Sequence, residues 1–137
     1  MTTWDEYLNS YKSAQANGDR VGAWRILEKA RKLVSDRTQR KWLHQALEND
    51  ELRWFVAAVF ERQPIPRALL NPMLRAALRE PVDASSIKWL IIPLAETFGS
   101  EDISNRLDAM LKAKPTLATA VKKARYWLYA GRKRRLL

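Results

Sequence analysis

Apolar side chains recur along this chain every three or four residues, the period of a helix with one buried face. Trp4, Tyr7, Leu8, Tyr11 and Ala14 form the first such stripe and predict a helix over 3–16. Thr3 is placed to cap it, and Asp5 and Glu6 occupy the first turn, where the helix dipole favours acids. Asn17-Gly18-Asp19 then reads as a stop and a restart: Gly18 suits a left-handed C′ position and Asp19 an N-cap. Val21, Trp24, Leu27, Ala30 and Val34 form the second stripe and predict a helix over 20–34. A third helix starts at Asp36, with Gln39 spaced for a capping box. It turns Trp42, Leu43, Ala46 and Leu47 inward, and Arg37, Arg40 and Lys41 away from that face.

Asn49 is placed to cap a fourth helix, whose buried face is Leu52, Phe55, Val56, Val59 and Phe60. Pro64-Ile65-Pro66 ends it, because each proline removes an N–H and restricts the residue before it. The next apolar set, Leu70, Met73, Leu74, Ala77 and Leu78, predicts a helix over 67–80. Pro72 either kinks that helix or is the first residue of a shorter one capped by Asn71, and the sequence does not choose. Beyond Pro81, Asp83 caps a helix carrying Ile87, Leu90, Ile91, Leu94 and Phe98, with a kink near Trp89 expected from Pro93. Gly99 closes it. Ser100 caps a seventh helix, with Ile103, Leu107, Met110 and Leu111 inward. After Lys114-Pro115-Thr116, Leu117, Val121, Ala124 and Leu128 predict a last helix over 116–130, ended by Gly131.

No stretch alternates over a strand's length, so the expected fold is all-α, with seven or eight helices joined by short loops. Short loops make sequential helices antiparallel neighbours. Residues 49–113 also look like a tandem unit. Arg53, Trp54, Phe55 and Val56 are echoed 35 residues later by Lys88, Trp89, Leu90 and Ile91, and Leu70, Met73 and Leu74 are echoed 37 residues later by Leu107, Met110 and Leu111. This period, the helix pairing and the prolines resemble HEAT and armadillo-like helical repeats. Gly18 followed by Ala23, Leu27 and Ala30 resembles the second half of a tetratricopeptide repeat, with Ser35 where that pattern closes on a proline. Both resemblances imply a right-handed superhelix of antiparallel hairpins; a compact helical bundle with accidental self-similarity is the alternative. The expected organisation is one repeat-like domain over 1–131 with a basic tail over 132–137. Some HEAT-like proteins are alkylpurine DNA glycosylases, but no motif of theirs can be matched here residue by residue.

Charge changes the picture more than composition does. The 137 residues carry a net charge of +10. Residues 19–48 hold +4 and residues 115–137 hold +7 without one acid, while 49–82 hold +1 and 83–114 hold −1. The excess therefore sits on the flanks of the tandem unit, and such a field favours an anionic partner. The chain has no cysteine, which excludes disulfides and thiolate chemistry. Residues 1–6 carry neither the basic region nor the apolar core of a signal peptide, and the longest apolar run, 89–95, is far too short for a bilayer, so a cytoplasmic location is expected.

Enzyme chemistry finds little footing. His44 is the sole histidine, and Asp5-Glu6, Asp50-Glu51 and Glu101-Asp102 sit in first turns, where dipole complementarity explains them. No glycine-rich phosphate loop is present, and no cofactor or small-molecule substrate is expected. The candidate site lies on the last helix. Lys122, Arg125, Tyr129 and Arg132 follow one face, and Lys123, Lys133, Arg134 and Arg135 widen it, with Tyr126 and Trp127 interleaved. Cations neutralise phosphates and aromatic rings stack on unpaired bases. A second strip, Arg25, Lys29, Lys32, Arg37, Arg40 and Lys41, is diluted by Glu28 and Asp36 and extends the same groove if a curved array brings both flanks to one face. The expected function is non-enzymatic binding of nucleic acid, with an adaptor for an acidic protein as the alternative. Attachment to an anionic membrane would need a more apolar face than Leu117, Val121, Ala124 and Leu128 provide. Trp24, Trp42, Trp54 and Trp89 lie on or beside apolar stripes, so core packing is expected of them, although Trp54 and Trp89 each follow a basic residue and are alternatives for a groove lining.

Overall fold

The computed structural model describes residues 3–49, 51–61, 63–79 and 84–136, the side chains of 84–86 and 130–136 excepted. The fold is all-α: no strand occurs among the described residues. The helices are α1 (Trp4–Ala16), α2 (Arg20–Arg31), α3 (Arg40–Leu47), α4 (Arg53–Val59), α5 (Leu70–Ala77), α6 (Ala84–Phe98), α7 (Ser100–Ala113) and α8 (Ala118–Leu136). The chain divides into two compact units, Met1–Gln63 and Pro64–Leu137. The division falls inside the 49–113 stretch and leaves α4 in the first unit and α5, α6 and α7 in the second.

In the first unit α1 packs along α2 across the Gly18 turn, and α2 and α3 both pack on α4. Thr3 and Asp19 cap α1 and α2 as expected, accepting from the backbone N–H groups of Glu6 and Gly22. The second helix is shorter than 20–34: α2 stops at Arg31 and a 3-10 turn, Lys32–Ser35, follows. Of the expected stripe Leu27, Ala30 and Val34 are buried, joined by Ala23 and Arg31, while Val21 and Trp24 are exposed. Asp36 does start the next element, accepting at Oδ1 from the Thr38 N–H. Asn49 opens the turn into α4 by accepting at Oδ1 from the Glu51 N–H.

An aromatic cluster centres this unit. Phe55 is fully buried and meets Trp4, Tyr11, Trp42 and Trp54 with ring centroids 5.7–6.4 Å apart, mostly edge to face. Trp4 and Trp42 stack at 5.6 Å. Their indole N–H groups donate to the Gln39 carbonyl at 2.9 Å and to Asp5 Oδ1 at 3.1 Å. A buried indole needs such a partner, and both bonds join α1 to the α3 region.

In the second unit α6 is central and packs on α5, α7 and α8. Ile87, Leu90, Ile91 and Leu94 of α6 are fully buried, as are Met73 and Leu74 of α5 and Ile103 and Leu107 of α7. The two proline questions resolve differently. A 3-10 turn, Arg67–Leu69, precedes α5, so Pro72 falls in its first turn, where a missing N–H forfeits no helical bond, and Asn71 is not the cap. Pro93 lies inside α6, which runs on past it to Phe98. Gly99, at φ 93°, is the cap residue of α7, and Ser100, expected there, is already helical. Gly131 does not end the last helix: α8 continues to Leu136. The expected Asp83 cap and the Pro81 break lie outside the described residues. Among the described residues no helix is long and apolar enough to cross a membrane.

Candidate nucleic-acid interface

The basic face on α8 arises from simple helical geometry. Ala120, Val121, Ala124 and Leu128 are buried against the second unit. Residues between them must point outward, and Lys122, Lys123, Tyr126 and Tyr129 are exposed, the two tyrosines by 65% and 66%. A ring left two-thirds in water forfeits most of the stabilisation that burying it would bring, on the order of 2 kcal/mol. Arg125 differs from its neighbours. It is half-buried, and its guanidinium pairs with Asp108 of α7, so much of its charge is answered inside the unit. Arg132, Lys133, Arg134 and Arg135 lie on the α8 backbone, and their side chains are outside the described residues.

The structure adds a feature that helical spacing on α8 alone does not contain. Lys88, on α6, places Nζ 5.4 Å from the Trp89 ring centroid and 5.1 Å from that of Trp127. One ammonium is thereby shared between indoles of two packed helices. Tyr126 stands edge-on to Trp127 at 5.1 Å. Trp89 itself is half exposed, so the expectation that it packs in the core is corrected. Its position on α6 decides this: Leu90 and Ile91 take the buried face, and Trp89 lies outside that arc.

On α2 and α3 the strip is thinner than its sequence suggests. Arg25, Lys29, Lys32, Arg37 and Lys41 are exposed. Arg40 is half-buried, and its Nε donates to the Val34 carbonyl at 3.0 Å. Asp36 keeps a negative charge within the strip. The Thr38 hydroxyl and N–H donate to its Oδ1 at 2.7 and 2.9 Å and hold its carboxyl below the usual range. Trp24, also expected in the core, is half exposed beside Arg20, Val21 and Arg25.

Two arginines of the first unit are buried. Arg31 donates from Nε to the Val59 carbonyl at 2.8 Å and from Nη2 to the Ala58 carbonyl at 3.1 Å, and pairs with Glu28 through Nη1. It thus closes the C-terminal end of α4, where carbonyls lack helical donors and positive charge is favoured. Arg53 donates from Nε to the Leu47 carbonyl at 3.3 Å and does the same for α3. The signal for Arg31 was present: it follows Ala23 and Leu27 at helical spacing, on the face that α2 buries. Arg53 and Lys88 occupy equivalent places in the tandem pattern and are used differently, one on a carbonyl and one on two indoles.

A groove of about 510 Å³ lies elsewhere in the second unit, between the ends of α5 and α7 and the turn before α8. Leu78, Met110, Ala113 and Leu117 form its apolar floor, and Arg75, Arg79 and Lys114 its rim. No three His, Asp or Glu side chains gather as a metal set among the described residues. His44 is half-buried on α3. The chemistry this surface offers is therefore cationic and aromatic. Compared with protein-family models, with curated proteins and with solved structures, the chain matches none.

Proposed function

We propose that this chain is a non-enzymatic binding module that contacts nucleic acid through the outward face of α8. The observation that carries the reading is the composition of that face. Lys122 and Lys123 are exposed beside Tyr126 and Tyr129, on a segment, 115–137, with seven cations and no acid. Lysines supply phosphate contacts, and they bind with release of counterions. Consecutive packed helices, α5 to α8 in one unit and α1 with α2 in the other, are consistent with the HEAT- or tetratricopeptide-like resemblance, which enters here as part of the proposal. The test is titration of the full chain with single- and double-stranded DNA and RNA at several salt concentrations. If about four phosphates are neutralised, log K falls against log salt with a slope of about −3.6. Lys122→Glu with Lys123→Glu weakens every binding isotherm. A slope near zero, or no binding at low salt, overturns the reading.

The groove between α5 and α7 favours a second reading, an adaptor for an acidic protein. Its apolar floor under Arg75, Arg79 and Lys114 suits a segment with one apolar and one acidic face. Recovery of one defined acidic protein after nuclease treatment, abolished in Arg75→Glu with Lys114→Glu, would favour it over the first.

A further inference from the structure

At the junction of α6 and α8 the aliphatic residues are buried and aromatic rings stand outside. Trp89, Tyr126 and Tyr129 are 50%, 65% and 66% exposed, while Leu90, Ile91, Val121 and Leu128 beside them in sequence are buried. Trp89 and Tyr126 each have a neighbour that braces them. Lys88 Nζ lies between the faces of Trp89 and Trp127, 5.4 and 5.1 Å from their centroids, and Trp127 is braced in turn by the edge of Tyr126 at 5.1 Å. Tyr129 is three residues from Tyr126 and shares its helical face. The junction of α6 and α8 therefore carries a pre-ordered row of aromatic surface open to solvent. Lys122 and Lys123 precede Tyr126 and Trp127 by four residues each, one helical turn, so a cation stands next to each ring.

Such a surface discriminates between forms of nucleic acid. In a duplex the base faces are covered by their neighbours and only the base edges and phosphates are presented. In a single strand the base faces are free, and an exposed aromatic ring accepts them without reading sequence. Cations alone serve both forms; exposed, braced rings serve only the second. We propose that the Lys88–Trp89–Tyr126–Trp127–Tyr129 surface is a stacking site for single-stranded nucleic acid. Unpaired bases lie on Trp89, Tyr126 and Tyr129. Lys122 and Lys123 hold the phosphates, and Lys88 positions the two indoles. This rests on the nucleic-acid reading above and narrows it to a substrate class.

The experiment compares four probes on the full chain at low salt: an oligothymidylate and an oligouridylate of about 12 nucleotides, a duplex of the same length, and an abasic strand of that length. Preference for the two single strands over the duplex and the abasic strand, by about tenfold or more, is expected. Trp89→Ala, and Tyr126→Ala with Tyr129→Ala, weaken single-strand binding between about fivefold and about 150-fold per stacked base and leave duplex binding and its salt slope unchanged. Tyr126→Phe with Tyr129→Phe retains it. These positions are exposed, and unchanged helical circular dichroism confirms that the variants fold. Equal binding of duplex and single strand, equal binding of the abasic strand, or alanine variants that bind single strands as well as the parent each overturn the stacking site while leaving a salt-dependent nucleic-acid module in place. No binding of any probe overturns both.

Discussion

Arg25 and Arg31 stand six residues apart on the same helix and do opposite things. Arg25 is exposed, and its charge belongs to the surface field. Arg31 is 7% exposed and holds the Ala58 and Val59 carbonyls and the Glu28 carboxylate. Replacing it takes the Arg31 donor from the buried Val59 carbonyl and leaves the Ala58 carbonyl with the Glu61 N–H at 3.3 Å, so Arg31→Leu is expected to lower stability by about 1–3 kcal/mol, read from urea unfolding. Arg25→Leu should stay within about 0.5 kcal/mol. Tyr11 supplies a pH signature. Burial, then the charge of Glu61, pushes its phenol up, and Arg31 opposes them in part. A raised phenol pKa means that the folded state holds its proton longer than the unfolded chain. Stability is therefore full below the unfolded value of about 10 and declines as pH climbs from there through the folded value. Tyr11→Phe should flatten the alkaline arm of an unfolding-midpoint profile taken between about pH 8 and about pH 11, although it also removes the hydroxyl that accepts from Gln15 Nε2 at 3.1 Å. At this scale the sequence misleads where a side chain can satisfy itself in two ways. An arginine can face water or close a helix end, and a tryptophan can pack or stack. For Arg31 the spacing after Ala23 and Leu27 points inward, and for Trp24 and Trp89 the packing of neighbouring helices selects between them.

Helix boundaries are more legible, because they depend on neighbours in sequence. Thr3, Gly18, Asp19, Asp36 and Asn49 all stand at starts or stops that local chemistry dictates. Where a boundary departs from the periodicity, a short-range alternative competes. Residues 32–35 tighten into a 3-10 turn instead of prolonging α2, and Gly99 takes the cap position one residue before Ser100. Gly18 and Gly99 have φ of 69° and 93°, and neither has a neighbour within 4 Å of where a Cβ would stand, so the strain of substitution is backbone strain alone. Gly18 lies in the left-handed region, where Gly18→Ala costs about 1 kcal/mol and Gly18→Asn less. Gly99, with ψ 143°, lies where non-glycine residues hardly occur, so Gly99→Ala costs more, about 1–3 kcal/mol. Urea midpoints of the three variants give the order; equal effects at Gly18 and Gly99 would contradict it.

For the molecule as a whole, the segmental charge is readable without a structure, but its availability is not. Of the cations in 19–48, Arg31 and Arg40 bond carbonyls and Asp36 stays ionised among the rest, while on α8 Arg125 is paired with Asp108. On α8 the anion-binding strength is therefore expected to rest on Lys122, Lys123 and the four cations beyond Gly131. Truncation after Gly131 should flatten the salt slope by about 0.9 for each phosphate that is no longer neutralised, measured as log K against log salt on one oligonucleotide. An unchanged slope would remove the C-terminal cations from the interface. The amino-acid sequence by itself determined that the chain is helical, where most helices begin, and that positive charge gathers at 19–48 and 115–137. Those properties follow from periodicity, caps and counting, which act between residues a turn apart. Only the tertiary structure decided which arginines close helix ends, that Trp24 and Trp89 face outward, and that Lys88 joins indoles of α6 and α8. Each of these depends on which helix packs against which, and so on residues tens of positions apart in the chain.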